Sequence, residues 1–322
     1  MFYVGETPWH GLGVRLESAP TTREAIVAAG LDWEVGQKEL WTVREAGPMD
    51  DGRDSIIDQK VPALANYRTT DGRILGVVGP GTHPLQNRDA FAFFDPFLAS
   101  GDAVLETAGS LRDGERIWAL ARINRDPSVV VPGDEVLKYL LLSNSHDGKV
   151  AVRVGFTPIQ VVCANTLALA HGAGDARKTL LKIHHTRKVK EAVVAARDAI
   201  NLADRTFEAT AERYRFLASR QIDRPSLELL VRRVLSPATG QELPGASKIT
   251  LPKVVRLFEQ GRGNQLPGVA GTYWAAYNAL TEYLAYGRGK DRSRRLDNLW
   301  FGSAANQNDR ALTIALEMAK AA

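Results

Sequence analysis

The chain has 322 residues, with 41 Lys and Arg against 37 Asp and Glu and a formal net charge of +4. Hydrophobic residues at 44% and charged residues at 24% are ordinary globular values, which exclude a disordered tail protein, a collagen-like repeat and a disulfide scaffold. Cys163 is the single cysteine, so an intrachain disulfide is excluded and a reducing, cytoplasmic setting is expected. No run of about 18 apolar residues occurs, and the opening residues lack a basic region followed by an apolar run, so neither a membrane span nor a signal peptide is expected.

In chain order, Met1 to Gly13 is rich in Gly and aromatics and reads as an extended or looped arm. Thr21 or Thr22 caps a helix with Glu24 in its first turn and Gly30 at its end. Trp33, Val35, Leu40, Trp41 and Val43 have strand character, broken at 47–52. Val61 to Val78 reads as a hairpin around Asp71-Gly72, because an Asp-Gly dipeptide between β-favouring runs is a strong turn signal. Asn87 is placed to cap a helix whose Phe91, Phe94 and Leu98 share one face.

The middle of the chain is the clearest β region. Val104 to Ser110 and Arg116 to Ile123 flank Asp113-Gly114, and Glu135 to Asn144 and Lys149 to Phe156 flank Asp147-Gly148, which predicts an antiparallel meander of four strands. Pro127 and Pro132-Gly133 separate the two hairpins, Pro158 ends the sheet, and Val161 to His171 begins a helix. After Gly174 the composition turns helical. Ala176 to Ser219 holds one long helix or two, Pro225 with Ser226 opens another, 236–246 is a loop, and Leu251–Glu259, a run from Thr272 and Ala311–Ala321 are further helices. Strands first and helices second make the expected fold α+β, with antiparallel hairpins in a β-rich domain, 1–174, packed against a helix-rich basic region, 175–322.

No phosphate-binding GxxxxGK[ST] is present. Gly76-Val-Val-Gly-Pro-Gly81 reads as a turn, since Pro80 lacks an amide donor and no Lys-Ser/Thr follows. The six histidines include no pair with zinc spacing, so no metal or other cofactor is expected. Cys163 sits in an apolar run, where a buried, inert thiol is the common outcome; a hydrolase or nuclease-like site would need it beside His146, Asp147 and His185. The basic residues say more. Lys182, Arg187, Lys188 and Lys190 have Glu191 as their one close acidic neighbour, and Arg288, Lys290, Arg292, Arg294 and Arg295 form a second cluster, so local positive potential exceeds what the small net charge suggests. Arg153, Trp118 and Tyr139 fall on expected strands, the first as a further phosphate contact and the two rings as stacking faces for unpaired bases.

The blocks PWHGLG, TDGRILGVVG, HPLQNRDAFAFFD, TAGSLRDGERIWALARI, LLLSNSHDGKVAV, VVCANTL, HHT and YWAAYNALTEY, taken in order over nearly the whole chain, resemble the phage/plasmid-like protein family, which carries a domain of unknown function. The resemblance implies a setting on phages, plasmids and transferred islands, in the cytoplasm of a bacterial host, and brings no activity with it. Its polar blocks are Asn144, Ser145, His146, Asp147, Asn165, Thr166, His185 and Thr186, which stand as site candidates without an assigned role. Hairpins followed by a helix and a basic segment are also similar, in architecture, to single-strand annealing proteins, which assemble as rings or filaments around single-stranded DNA. The leading expectation is therefore a non-enzymatic mobile-element protein that binds and anneals single-stranded DNA in replication or recombination. Homo-oligomers and phage or host recombination proteins are the expected partners. The competing expectations are the His/Asp/Cys enzyme and a phage interaction protein with no catalytic role.

Overall fold

The computed structural model describes residues 1–5, 11–48, 54–160, 180–200, 204–235, 246–287 and 291–322. Along the chain, β1 (Phe2–Val4) and β2 (Val14–Leu16) are followed by α1 (Thr22–Ala28), then by β3 (Val35–Pro48), β4 (Asp54–Arg68) and β5 (Ile74–Val78). Two short helices, α2 (Asn87–Phe91) and α3 (Asp95–Ala99), precede β6 (Ala103–Leu111), β7 (Arg116–Ile123), β8 (Ser128–Val131), β9 (Asp134–Ser145), β10 (Val152–Gln160) and β11 (Leu180–Ile183). The remainder is helical: α4 (Val189–Ile200), α5 (Asp204–Ala218), α6 (Arg224–Leu235), α7 (Ala246–Gln260), α8 (Tyr273–Glu282), α9 (Arg292–Phe301) and α10 (Ser303–Ala321). The fold is α+β, with antiparallel sheets first and helices after them.

The expected meander forms the middle of an eight-stranded sheet ordered β11-β10-β9-β7-β6-β1-β2, with β8 paired to the start of β9. Every pairing in it is antiparallel except β1 with β2. Its central strands read as nearly continuous apolar runs because both faces are covered. Trp118, Leu120, Tyr139 and Leu141 pack against Tyr214, Trp274, Tyr277 and Trp300 of the C-terminal helices. The alternate residues Ile117, Ala119, Leu140, Leu142, Val152 and Val154 pack against Ala25, Phe91, Phe94, Val189 and Val193 on the opposite face. The period-2 geometry of a strand thus divides each strand between two cores. We call these the helical face and the N-terminal face.

Local chemistry explains most of the elements. Thr21 Oγ1 accepts from Glu24 N while Glu24 accepts from Thr21 N, a capping box worth about 1 kcal/mol. The hairpin around Asp71-Gly72 joins β4 to β5 as expected. Several expectations need correction. Asn87 does not cap its helix; Gln86 is the N-cap and Asn87 points elsewhere, and the helix stops at Phe91 before a second begins at Asp95. Pro158 lies inside β10, opposite Lys138, because β11 pairs with β10 only over Val152–Gly155 and the missing amide of Pro158 faces an edge without a partner among the described residues. Of the extended or looped arm expected over Met1–Gly13, Phe2–Val4 is extended as β1 with Phe2 buried in the sheet, and residues 6–10 lie outside the described residues. β8 and β11 were not foreseen, each being four residues long. The boundary expected at 174/175 falls inside the sheet layer: β11 lies beyond it in sequence yet pairs with β10, and α4 packs on both strands. The helix expected over Val161–His171 lies outside the described residues.

Candidate functional site

The end of β9 and the turn after it, Ser143-Asn144-Ser145-His146-Asp147, are buried throughout. Alternation sends Asn144 and His146 to the N-terminal face and Ser143, Ser145 and Asp147 to the helical face. On the N-terminal face, Asn144 Nδ2 donates to Leu85 O (3.2 Å) and Asn66 Nδ2 donates to His146 O (2.8 Å). Asn87 Nδ2 is committed to Leu31 O (3.0 Å) and Trp33 O (3.2 Å), so its Oδ1 is the acceptor for His146 Nε2 at 2.9 Å. That fixes the proton on Nε2 and leaves Nδ1 buried without a hydrogen bond among the described residues. The Trp33 ring meets His146 edge-on at 5.5 Å. Burial pushes the His146 pKa down to about 3, helped by the nearby His185 and Arg68. His185 is held below its usual range for the same reason, while its carbonyl accepts from His83 N at 2.9 Å.

On the helical face, Arg116 is 6% exposed and pairs with Asp147 (3.3 Å) and Asp297 of α9 (2.8 Å). Arg112 donates to the same Asp297 through Nε (2.9 Å) and Nη2 (2.7 Å). Asp147 also accepts from Ser145 Oγ and from Lys149 N, the latter at 2.9 Å. Its chain passes so close to β5 that a Cβ on Gly76 would stand 2.5 Å from Asp147 Cα. Gly148, at φ +73, completes the turn. Five of the quoted blocks therefore meet here: TDGRILGVVG through Gly76, HPLQN through His83, Leu85 and Asn87, TAGSLRDGERIWALARI through Arg112 and Arg116, SNSHDG itself, and HHT through His185. Thr186 bonds only locally through its backbone, to His184 O and from Val189 N, among the described contacts. Cys163, Asn165 and Thr166 lie outside the described residues, as does PWH.

This cluster binds the protein to itself. His146 is enclosed, its Nε2 is spent on Asn87, and its low pKa makes it a weak proton acceptor at neutral pH. Among the described residues no group of three or more His, Cys, Asp or Glu is placed to hold a metal ion.

The cations expected to meet phosphate are arranged differently. Lys182, Arg187 and Lys188 are exposed, and no acidic side chain pairs with them among the described residues. Lys190 is exposed too, but its ammonium lies 2.8 Å from Asp89 of α2. Arg153 is half-buried on β10, in register with Ser143 on one side and Lys182 on the other. The stacking role expected of Trp118 and Tyr139 is corrected. Trp118 is 0% exposed and packs on Trp300 at 4.8 Å, and Tyr139 is 7% exposed with its hydroxyl donating to Glu106 at 2.5 Å. Their strand positions face the helical core. An aromatic ring that does stand in solvent is Trp41 on β3, 53% exposed. In the second basic cluster, Arg292 donates to Gly11 O (3.2 Å) and Arg295 to Tyr286 O (2.7 Å), so these two hold chain segments; Arg288 and Lys290 lie outside the described residues.

Sequence reading missed Arg116, Asn87 and Asp297 as partners. A signal existed for the first: Arg116 alternates with Trp118 and Leu120, and a charge on an apolar strand face requires a buried counter-charge. Asp297 lies 181 residues away and gave no such sign.

Fold and site define a two-faced α+β sheet protein with an enclosed polar cluster at one end of β9 and with exposed Lys182, Arg187 and Lys188 on and just after the edge strand β11. The chain belongs to the family described as Domain of unknown function (DUF932), whose model matches residues 74–311. That span begins at β5 and includes the Gly76, Asn87, Asp147 and Asp297 contacts just described. No curated protein and no solved structure matches the chain. No helix among the described residues is long and apolar enough to cross a membrane.

Proposed function

We propose that the protein binds single-stranded DNA through its phosphates and promotes annealing during replication or recombination of a phage or plasmid. The observation that carries this reading is the group Lys182, Arg187 and Lys188, three exposed cations within seven residues, the first on the outer strand of the large sheet and the others in the turn that leads to α4, without an acidic partner among the described residues. Salt bridges elsewhere consume comparable charges, as with Arg224 and Glu228 (2.9 Å) or Arg233 and Glu317 (2.9 Å). The burial of Trp118 and Tyr139 removes them as base-stacking platforms. Binding is therefore by the sugar-phosphate backbone, and bases held only at their phosphates stay available for pairing.

The sheet ends in β11 on one side and β2 on the other, neither paired further among the described residues. Two unlike edges favour head-to-tail association, which closes as a ring or runs on as a filament. Such homo-oligomers, and recombination proteins as further partners, belong to the same proposal.

Fluorescence anisotropy with a labelled oligonucleotide at about 50 and 200 mM salt tests it, since log affinity falls by about 0.7 per phosphate contact per decade of salt for single strands. Binding at the lower salt with a slope of about −2 or steeper is expected, and absence of binding there overturns the reading.

A further inference from the structure

Inside the sheet, one row of side chains has unmet hydrogen-bonding capacity. Ser143 on β9, Arg153 on β10 and Lys182 on β11 stand directly opposite one another, on the helical face. Ser143 is 0% exposed and its Oγ has no hydrogen-bond partner among the described residues; Arg153 Nε is buried and equally without one there. No acidic side chain pairs with Arg153 or Lys182 among the described residues, although Asp147 and Asp297 lie on the same face. Those two carboxylates are already taken by Arg112 and Arg116.

The neighbouring guanidinium matters as much as the missing carboxylate. Arg116 stands close enough to Arg153 that, after burial, its charge is a cause of the lowered Arg153 pKa. Three guanidiniums, Arg112, Arg116 and Arg153, and the Lys182 ammonium therefore share this end of the sheet with two carboxylates, both engaged by Arg112 and Arg116. Leaving a buried hydroxyl and a buried guanidinium N–H unpaired carries the desolvation cost of each group with no hydrogen bond to offset it.

We propose that Ser143, Arg153 and Lys182 form a phosphate-binding site that takes the oxygens of a phosphate ester or of free phosphate. The guanidinium fork matches two phosphate oxygens, the serine hydroxyl supplies a third donor, and the ammonium at the exposed end supplies a point charge. A carboxylate ligand fits less well, having two oxygens for three donors and one charge for the local excess. That the phosphate belongs to a polynucleotide rests on the function proposed above; the anion site itself does not.

Thermal melting of the full chain in inorganic phosphate, against chloride at matched ionic strength, reads the site directly. The wild type is expected to rise by about 2 °C or more at tenfold excess over Kd. Arg153→Gln and Ser143→Ala are each expected to lose most of that rise. Ser143→Ala removes a single unpaired oxygen, so it keeps the test open if the arginine variant fails to fold. Equal stabilisation of wild type and Ser143→Ala, or none in the wild type, overturns the site. Oligonucleotide anisotropy then separates the sources. If the strand's phosphate sits here, inorganic phosphate competes with the oligonucleotide and Ser143→Ala weakens it several-fold. If phosphate stabilisation is lost in the variants while the oligonucleotide is bound equally, or bound by no form, the site stands as one for free phosphate or a small phosphate ester, and strand binding is judged separately.

Discussion

His146 and Arg153 stand seven residues apart on either side of one turn, and their surroundings differ in kind. His146 lies in a cluster where most donors find acceptors: Asn66, Asn87 and Asn144 all donate to carbonyls across the N-terminal face. Arg153 lies in a row where they do not, with Ser143 Oγ and its own Nε both unpaired. Unpartnered buried atoms occur in both regions, Asn144 Oδ1 and His146 Nδ1 in the first and Ser143 Oγ and Arg153 Nε in the second; the difference is that the second region adds a cationic donor without a counter-charge among the described residues, which is open to an anion. The polar cluster is accordingly read as the fastening of the fold, and the cationic row and edge as its working surface.

The largest effect that separates the two regions is on stability. Asp147→Ala strips a buried carboxylate from Arg116, with Asp297 left as its counter-charge, and is expected to cost about 3 kcal/mol in urea unfolding. A loss below about 1 kcal/mol would move Asp147 out of the fastening role. Asn87→Ala leaves His146 Nε2 and the carbonyls of Leu31 and Trp33 without their partner, for an expected loss of about 1–3 kcal/mol. The pH dependence follows from the same burial. The folded His146 resists a proton that the unfolded chain takes up at its ordinary value of 6.5, so its contribution is complete above that pH and is lost as pH falls toward 3. His146→Gln should flatten that acid limb of the stability profile, and an unchanged limb would assign it to other groups. Smallest of all is the stability change for alanine at Lys182, Arg187 and Lys188, within about 0.5 kcal/mol each because these side chains are exposed.

Strand identity was legible because Asp-Gly turns punctuate the middle of the chain, and the α+β order because helix-forming composition begins where the strands end. The basic edge was legible as well, from charges with few acidic neighbours. What sequence could not carry was facing. Trp118 and Tyr139 have the residue type of a stacking platform, yet the helical core covers their side of the sheet. Helices α8 and α9, which do the covering, are separated from them by more than a hundred residues. Asn87 shows the same limit locally: an Asn before a helical run suits a cap, but here its amide is worth more bridging Leu31, Trp33 and His146. The motif SNSHDG drew attention as chemistry, and its conspicuous polarity turns out to serve three separate elements packed around one turn.

The claim that unpartnered cations, and not the histidine cluster, meet the ligand is tested most directly by oligonucleotide affinity against salt for wild type and the Lys182→Ala, Arg187→Ala, Lys188→Ala triple variant. The wild type should bind at about 50 mM salt, and the triple variant should bind more weakly with a log–log salt slope shallower by about 2. A triple variant that matches the wild type in affinity and slope, or a wild type that binds no single strand, would contradict the account.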